Sequence, residues 1–556
     1  MSYAHAYADA VMRRGRVPME PADFVPDWAD RPRKGKFHPG AEHFPLPDSA
    51  ALATATVQKG LFGEVGDGAF TLPLLGGMLQ DSYGLTGRRL AVQANSDLGT
   101  LPLYPHANWS RGTASGGGLY PIGVHWVAGP SGPLTPGVYH YSTPHHSMQR
   151  LLAGDVSGEV RAALGDPTDG SDTDQFLVLG VKFWQNAFKY NSFSYHVVTM
   201  DIGALLQTWR IWARARGLHV GAAFWFDEDR LGRLLGLSAR EEGVFAVVPL
   251  RWGAPAASGS PDRRTASGAP SPHPGAPGPP DAAGARSRPS AAGARVRLGD
   301  QERSRRVIGF DTVERIHAAT LEGATARPAG AVLAGALTAA APPAVGEPRP
   351  LPAPRPLALG VREALRSRRS SFGRFTATRP MAAEELSAAL AAAAAGADLA
   401  ADLRSPDGSS PARLYAFVNH VVGVPAGAYS YHAAAGALRL LKGGPQGEFL
   451  QRNYFLSNYN LEQAGAVITV AAPTRAVLDA VGDRGLRLVN ATVGSISQAL
   501  YTAAAALDLA CGVALGFDCV SYAEELGLDG PGETPLLIMM IGHERPQPAD
   551  FSHPIA

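Results

Sequence analysis

Two segments decide how the chain is read: VVTMDIGALLQTWRIWA at residues 197–213 and LVNATVGSISQALYTAA at residues 488–504. The first carries apolar residues near every third or fourth position (Val197, Met200, Leu205, Trp209, Trp212), the spacing of one face of an amphipathic helix. It predicts a long helix over 197–215, with a counterpart over about 486–507. Gly203–Gln207 falls opposite Gly494–Gln498, Gly221 opposite Gly512, Phe226–Asp227 opposite Phe517–Asp518 and Leu235–Leu237 opposite Leu526–Leu528, all 291 residues apart. Upstream, Pro136–Tyr141 meets Ala426–Tyr431 at 290 and Leu119–Tyr120 meets Leu414–Tyr415 at 295. A spacing that holds this long and drifts slowly marks a tandem duplication, one fold written twice.

Each copy reads as α+β. Strands are expected at 120–128 and 416–423, at 139–152 as a hairpin partner, at 175–182 and 466–472 as buried strands, and at 244–250 and 536–541 as the closing strand. The expected division is an N-terminal extension (1–50), a first domain (51–253), a linker (254–356), a second domain (357–546) and a tail (547–556). From 254 to 294 the chain is almost entirely Ala, Pro, Gly and Ser, which cannot bury enough apolar surface to offset ordering entropy. It reads as a disordered tether of about 40 to 50 residues spanning roughly 40 Å. Apolar residues at helical spacing predict a short docking helix within 305–321, before a second Ala- and Pro-rich stretch at 324–356.

Composition removes several functions. Fifty Lys+Arg against 49 Asp+Glu leave a formal charge of +1, with no basic excess for nucleic acid or an anionic membrane. Cys511 and Cys519 make neither a disulfide framework nor a zinc site, and are expected as buried thiols; no metal is expected. No run of about 18 apolar residues is present, and the first twenty residues lack the apolar core of a signal peptide. A reducing cytoplasmic setting is expected.

The candidate site lies where the copies differ. Ala114–Ser115–Gly116–Gly117–Gly118–Leu119–Tyr120–Pro121 in the first copy meets Ser409–Ser410–Pro411–Ala412–Arg413–Leu414–Tyr415–Ala416 in the second, without the glycines. Glycines let a backbone approach a flat ligand or phosphate and expose its N–H groups. The second copy has Arg366–Ser367–Arg368–Arg369–Ser370–Ser371–Phe372–Gly373–Arg374–Phe375, and the first shows no such arginines. Lys189 and Tyr190 precede the long helix of the first copy, where the second has Ala480 and Val481. Read singly, these are a glycine turn, a solvated basic helix start and a surface lysine beside a packed tyrosine. Phe517 is expected in the core, with Asp518 capping the helix that follows.

At these residues the sequence resembles the nitroreductase-like flavoproteins and, more narrowly, the SagB-type azoline dehydrogenases of thiazole/oxazole-modified peptide pathways. The pieces are Ser115–Pro121, Pro136–Tyr141, Lys189–Tyr190, Arg368–Arg369–Ser370 with Arg374–Phe375, and Gly516–Phe517–Asp518. The resemblance implies FMN at an interface between two such domains. Arg368, Arg369, Ser370, Arg374, Gly516 and Arg545 would come from the second copy, and Ser115, Gly116 and Gly117 from the first. Lys189 and Tyr190 would be catalytic, taking a proton while a hydride goes to flavin N5. The chain departs from the family by splitting these parts, so one complete site in an intramolecular pseudo-dimer is expected, with a degenerate second site. The implied substrate is a modified precursor peptide, beside cyclodehydratase partners. Two other functions fit the same sequence: a decayed scaffold of a peptide-modifying synthetase, and a general NAD(P)H nitro- or quinone reductase.

Overall fold

A computed structural model describes residues 2–48, 54–90, 107–165, 172–253, 293–338, 342–530, 532–546 and 552–555. The tether read at 254–294 lies almost wholly outside the described residues.

Two antiparallel sheets of matching topology form the frame. In the first domain, strands Ile122–Ala128, Gly137–Ser142, Ser147–Ala153, Gln175–Lys182 and Glu242–Pro249 lie in the order third, second, first, fourth, fifth. In the second domain, Arg413–Val418, Gly427–His432, Ala437–Gly443, Ala466–Ala472 and Thr534–Gly542 lie in the same order. The segment read as one partner strand at 139–152 is a complete hairpin, turned at residues 143–146.

The repeat reaches fine detail. Register shifts fall at Val138/Tyr139 and Ala428/Tyr429, and again at Leu179/Gly180 and Val470/Ala471. The hydroxyl of Tyr139 donates to Thr135 O as that of Tyr429 donates to Pro425 O. Asp227 and Asp518 each cap a helix by accepting backbone N–H groups, and left-handed Gly236 and Gly527 end those helices. Ala223 bridges Val247 where Ala514 bridges Ile538. Phe517 is fully buried, as are both cysteines.

The helices Ser194–Arg214 and Gly485–Ala506 run through the middle of the molecule against each other. The first was expected to be amphipathic, yet residues 194–213 are all buried. Its polar side chains find protein partners rather than water: Gln207 accepts from Ser495 of the other copy, while Thr208 and Asp201 bond Thr113, Ser115 and Gly116 of the loop above them. The crossing is built on glycine. A Cβ on Gly203 would lie 1.7 Å from Ala491 O, and one on Gly494 would lie 1.9 Å from Met200 O. These contacts are the same contact seen from either copy. The Asn490 side-chain amide donates to Thr199 Oγ1 (3.0 Å) across the same crossing, again between equivalent positions.

The ends of the chain exchange sides. The N-terminal helix Tyr3–Arg13 lies against the second domain, with Arg475–Asp9 (2.9 Å) and His5–Asp479 (2.9 Å) holding it. Residues 552–554 add a strand to Gly87–Leu90 of the first domain. Between the domains, residues 293–338 pack as ordered chain: Lys182 pairs with Asp300 (2.5 Å) and Glu302 (2.6 Å), and a helix forms at Asp311–Leu321. No described helix is long and apolar enough to cross a membrane.

Glycine inside a helix costs about 1 kcal/mol relative to alanine, so the pair is retained for close approach. Gly203→Ala and Gly494→Ala should each lower unfolding free energy by about 1–3 kcal/mol or more, the range for overpacking. Gly232→Ala, in a helix with open space at its Cβ, should leave stability unchanged or raise it. Urea titration of the three variants checks this.

Candidate active site

Beside the helix crossing, a cavity of about 720 Å³ opens between the two domains. The first domain supplies Ser115, Gly116 and Gly117 from one loop, with Lys189 and Tyr190 from another element. The second domain supplies Arg368, Ser370 and Gly516.

The loop 115–118 lies on the first central helix. A Cβ on Gly116 would meet Val197 Cγ1 at 2.1 Å, so only glycine sits this close. Gly117 adopts φ +63°, and a Cβ there would lie 2.6 Å from the Tyr190 hydroxyl and 3.1 Å from Lys189 Nζ. The glycine loop and the Lys–Tyr pair therefore share one wall. Lys189 and Tyr190 precede the long helix, at the end of a short one, Trp184–Tyr190; Asn191 at φ +41° makes the break. The two side chains converge, with Lys189 Nζ 4.9 Å from the Tyr190 ring centre.

Opposite them, Arg368 is 5% exposed. Its Nε donates to Gly112 O (2.8 Å) and Nη2 to Arg111 O (3.1 Å), while its guanidinium lies 5.1 Å from the Tyr501 ring centre. Its Nη1 has no protein partner among the described residues. Ser370 Oγ bonds the Tyr501 hydroxyl (3.0 Å). Arg369, Arg374 and Arg545 do not line the cavity. Arg369 pairs with Glu544 (3.1 Å), whose carboxylate also accepts from Ser371 Oγ and Phe372 N. Arg545 N donates to Arg374 O (2.9 Å). These residues pin the arginine–serine segment from behind.

Two lining residues carried no motif. Asp201 accepts from Ser115 Oγ (2.6 Å) and Gly116 N (2.8 Å), and burial pushes its carboxyl up to about 7. Its equivalent in the second copy is Thr492, a difference that marks Asp201 in the sequence. Arg14 reaches in from the N-terminal segment, donating to Leu515 O and lying 4.7 Å from the Phe193 ring centre. Nothing local in the sequence around Arg14 announces that contact.

The pseudo-symmetric place is filled by protein. Arg210 stands where Tyr501 stands and is held by Asp398 (2.9 Å). Ala222 bridges Ala401, and the buried Asp402 carboxylate accepts from Phe224 N (2.9 Å) and Trp225 N (3.1 Å). Trp225 occupies the position of Gly516 and is 3% exposed.

The open cavity fits a flavin mononucleotide by its donors and shape. It has a glycine loop along one wall, a guanidinium edge for a phosphate, and a volume in the range of small-molecule sites.

A family model described as Nitroreductase family matches residues 365–543, within the second domain; proteins of that family typically use FMN. No curated protein matches the chain significantly in sequence. Among solved structures, a candidate nitroreductase from Anabaena variabilis aligns over 98% of this chain and 100% of its own, with TM-score 0.66 and 20% identity. A candidate nitroreductase from Ralstonia eutropha covers 37% of this chain and 98% of its own, at TM-score 0.28 and 20% identity. A chain of the E. coli microcin synthetase McbBCD complex covers 32% of this chain and 70% of its own, at TM-score 0.27 and 16% identity. The chain folds as two tandem nitroreductase-like domains, the second matching the family model.

Proposed function

We propose that the open cleft holds one FMN per chain, and that the protein oxidises thiazoline or oxazoline rings to azoles in a ribosomally made peptide, after a cyclodehydratase has formed them. The observation that carries this reading is the single cavity in which Ser115–Gly117, Lys189 and Tyr190 of one domain face Arg368, Ser370 and Gly516 of the other.

Arg368 would hold the phosphate through its unused N–H groups, a charge-assisted contact worth about 1.5–3 kcal/mol. Gly116 lets the loop seat against Val197 and Gly117 lets it seat against Tyr190, and this fixes the wall along which the ring system would lie. When bound, the flavin supplies a two-electron acceptor for hydride. Turning an azoline into an azole removes one hydride and one proton. The Lys189–Tyr190 pair is the group that would take the proton: the Tyr190 oxygen accepts it as phenolate and becomes the phenol, with the Lys189 ammonium beside it offsetting the phenolate charge before transfer. Asp201 keeps the glycine loop seated.

Four outcomes test this. Purified protein should carry one flavin per chain; a value near two would refute the single site. Arg368→Ala should lower flavin content, whereas Arg369→Ala should retain it. Lys189→Ala and Tyr190→Phe should keep flavin and lose azoline oxidation by about a hundredfold or more, read by mass spectrometry as failure to lose two hydrogens. Asp201 binds its proton more tightly folded than unfolded, so its contribution to stability falls as pH rises from the ordinary value of 3.8 to about 7. Asp201→Asn should flatten that fall, as denaturant titrations across this window would show.

A further inference from the structure

On the far side of the wall made by Tyr120 lies a second cavity of about 580 Å³. Its lining includes Arg33, Lys34, Lys36 and Arg111, and no Asp or Glu among the described residues. Lys36 is neutralised by Glu242 at 2.5 Å. Arg111 is different. It is 4% exposed and sits between the rings of Tyr83 and Tyr120, 4.5 and 4.2 Å from their centres. Its guanidinium donates from Nη2 to Lys34 O (2.7 Å), and among the described residues no carboxylate pairs with it. Lys34, on the exposed rim, likewise has no anionic partner there. A buried cation without a counter-charge is costly, and this one faces space.

The wall is itself under strain. Tyr120 is not glycine yet has φ +53°, and its carbonyl is fixed by Gln185 Nε2 (2.7 Å). That conformation places one ring between two cavities: it lines the reaction cleft and stacks on Arg111. Arg111 is also tied to the cleft through its carbonyl, which accepts from Arg368. Trp109, 48% exposed, offers an apolar face at the chamber's lining.

We infer that this chamber is an anion subsite that takes a carboxylate of the substrate peptide, an Asp or Glu side chain close to the ring being oxidised. The peptide identity of the ligand rests on the function proposed above; the charge preference rests on Arg111 and Lys34 alone. Aromatic walls and a volume beyond that of one small ion fit a side chain with its backbone better than a free phosphate.

The test is a binding measurement on the full, flavin-loaded chain, separate from turnover. A rhodamine-labelled glutamate-rich peptide is titrated by fluorescence anisotropy, beside the same peptide with every Glu replaced by Gln. The wild type should bind the acidic peptide about tenfold or more tightly than its neutral counterpart, an advantage of the size expected for one charge-assisted contact. Lys34→Glu, on the rim where folding is not at stake, should remove most of that preference and keep the flavin. Arg111→Gln should do the same if it folds. Equal affinity for the two peptides, no change in Lys34→Glu, or displacement of the acidic peptide by equimolar inorganic phosphate would each overturn the assignment. Retained charge preference in a protein that fails to oxidise azolines would sink the activity and leave the subsite standing.

Discussion

The backbone contact between two helices governs the molecule. Gly203 against Ala491 and Gly494 against Met200 bring the central helices closer than any side chain would allow. Because the contact is the same from both sides, it fixes a pseudo-twofold axis at the crossing and sets the two sheets on opposite sides of it. The interface between the two domains is thus internal to one chain. The exchange of the N-terminal helix and the residue 552–554 strand across the halves makes separation of the domains costly at both ends.

A true twofold would give two equal clefts. The duplication frees each copy to change, and the two clefts diverge at matching positions. On one side Tyr501, Gly516 and the glycine loop leave an opening. On the other, Arg210 with Asp398, Asp402 on the Phe224 and Trp225 amides, and the Trp225 ring close it. The backbone N–H groups at Phe224 and Trp225 are equivalent to those at Leu515 and Gly516, and an internal carboxylate takes them. Sealing one cleft turns a potential binding surface into interface.

Much of this was legible in the sequence, and the unread parts have physical reasons. The 291-residue spacing carries the strand order, the helix caps at Asp227 and Asp518, and the glycine crossing, because each is a local signal repeated. The glycine loop, Lys189–Tyr190, Arg368 and Ser370 could be singled out because one copy has them and the other does not. The arginine run was less informative. Charge alone does not say which guanidinium faces a cavity, and Arg369 turns to Glu544, 175 residues away. The amphipathic reading of residues 197–215 failed for a related reason: its polar side chains are buried by distant partners, Ser495 for Gln207 and the loop at 113–116 for Thr208 and Asp201. The helix at Asp311–Leu321 follows the helical spacing read within 305–321, whereas the contacts of Arg14, Asp300 and Glu302 are long-range and no periodicity encodes them.

The same asymmetry appears in how the two sides of the interface are held. On the sealed side, Glu228 binds Arg487 (2.8 Å) and Arg484 (3.1 Å), and His317 from the intervening helix bonds Arg487 (3.0 Å). Burial, outweighing the pull of Glu228, pushes His317 down to about 4, so the cluster carries no third cation near neutrality. Removing one partner of such a buried set would cost about 3–5 kcal/mol. The equivalent positions on the open side are Cys519, Phe193 and His196, none of which can form an ion lock. Arg14 enters that space instead, bonding Cys519 Sγ (3.1 Å) and stacking on Phe193. Arg14 also donates to Leu515 O, the equivalent of the Phe224 O that accepts from Arg484, so the open side keeps the carbonyl contact but takes it from the N-terminal segment rather than from the other copy's central helix. The sealed side thus has a carboxylate bridging two arginines of the opposite copy, whereas the matching position on the open side is a thiol and its arginine comes from the N-terminal segment.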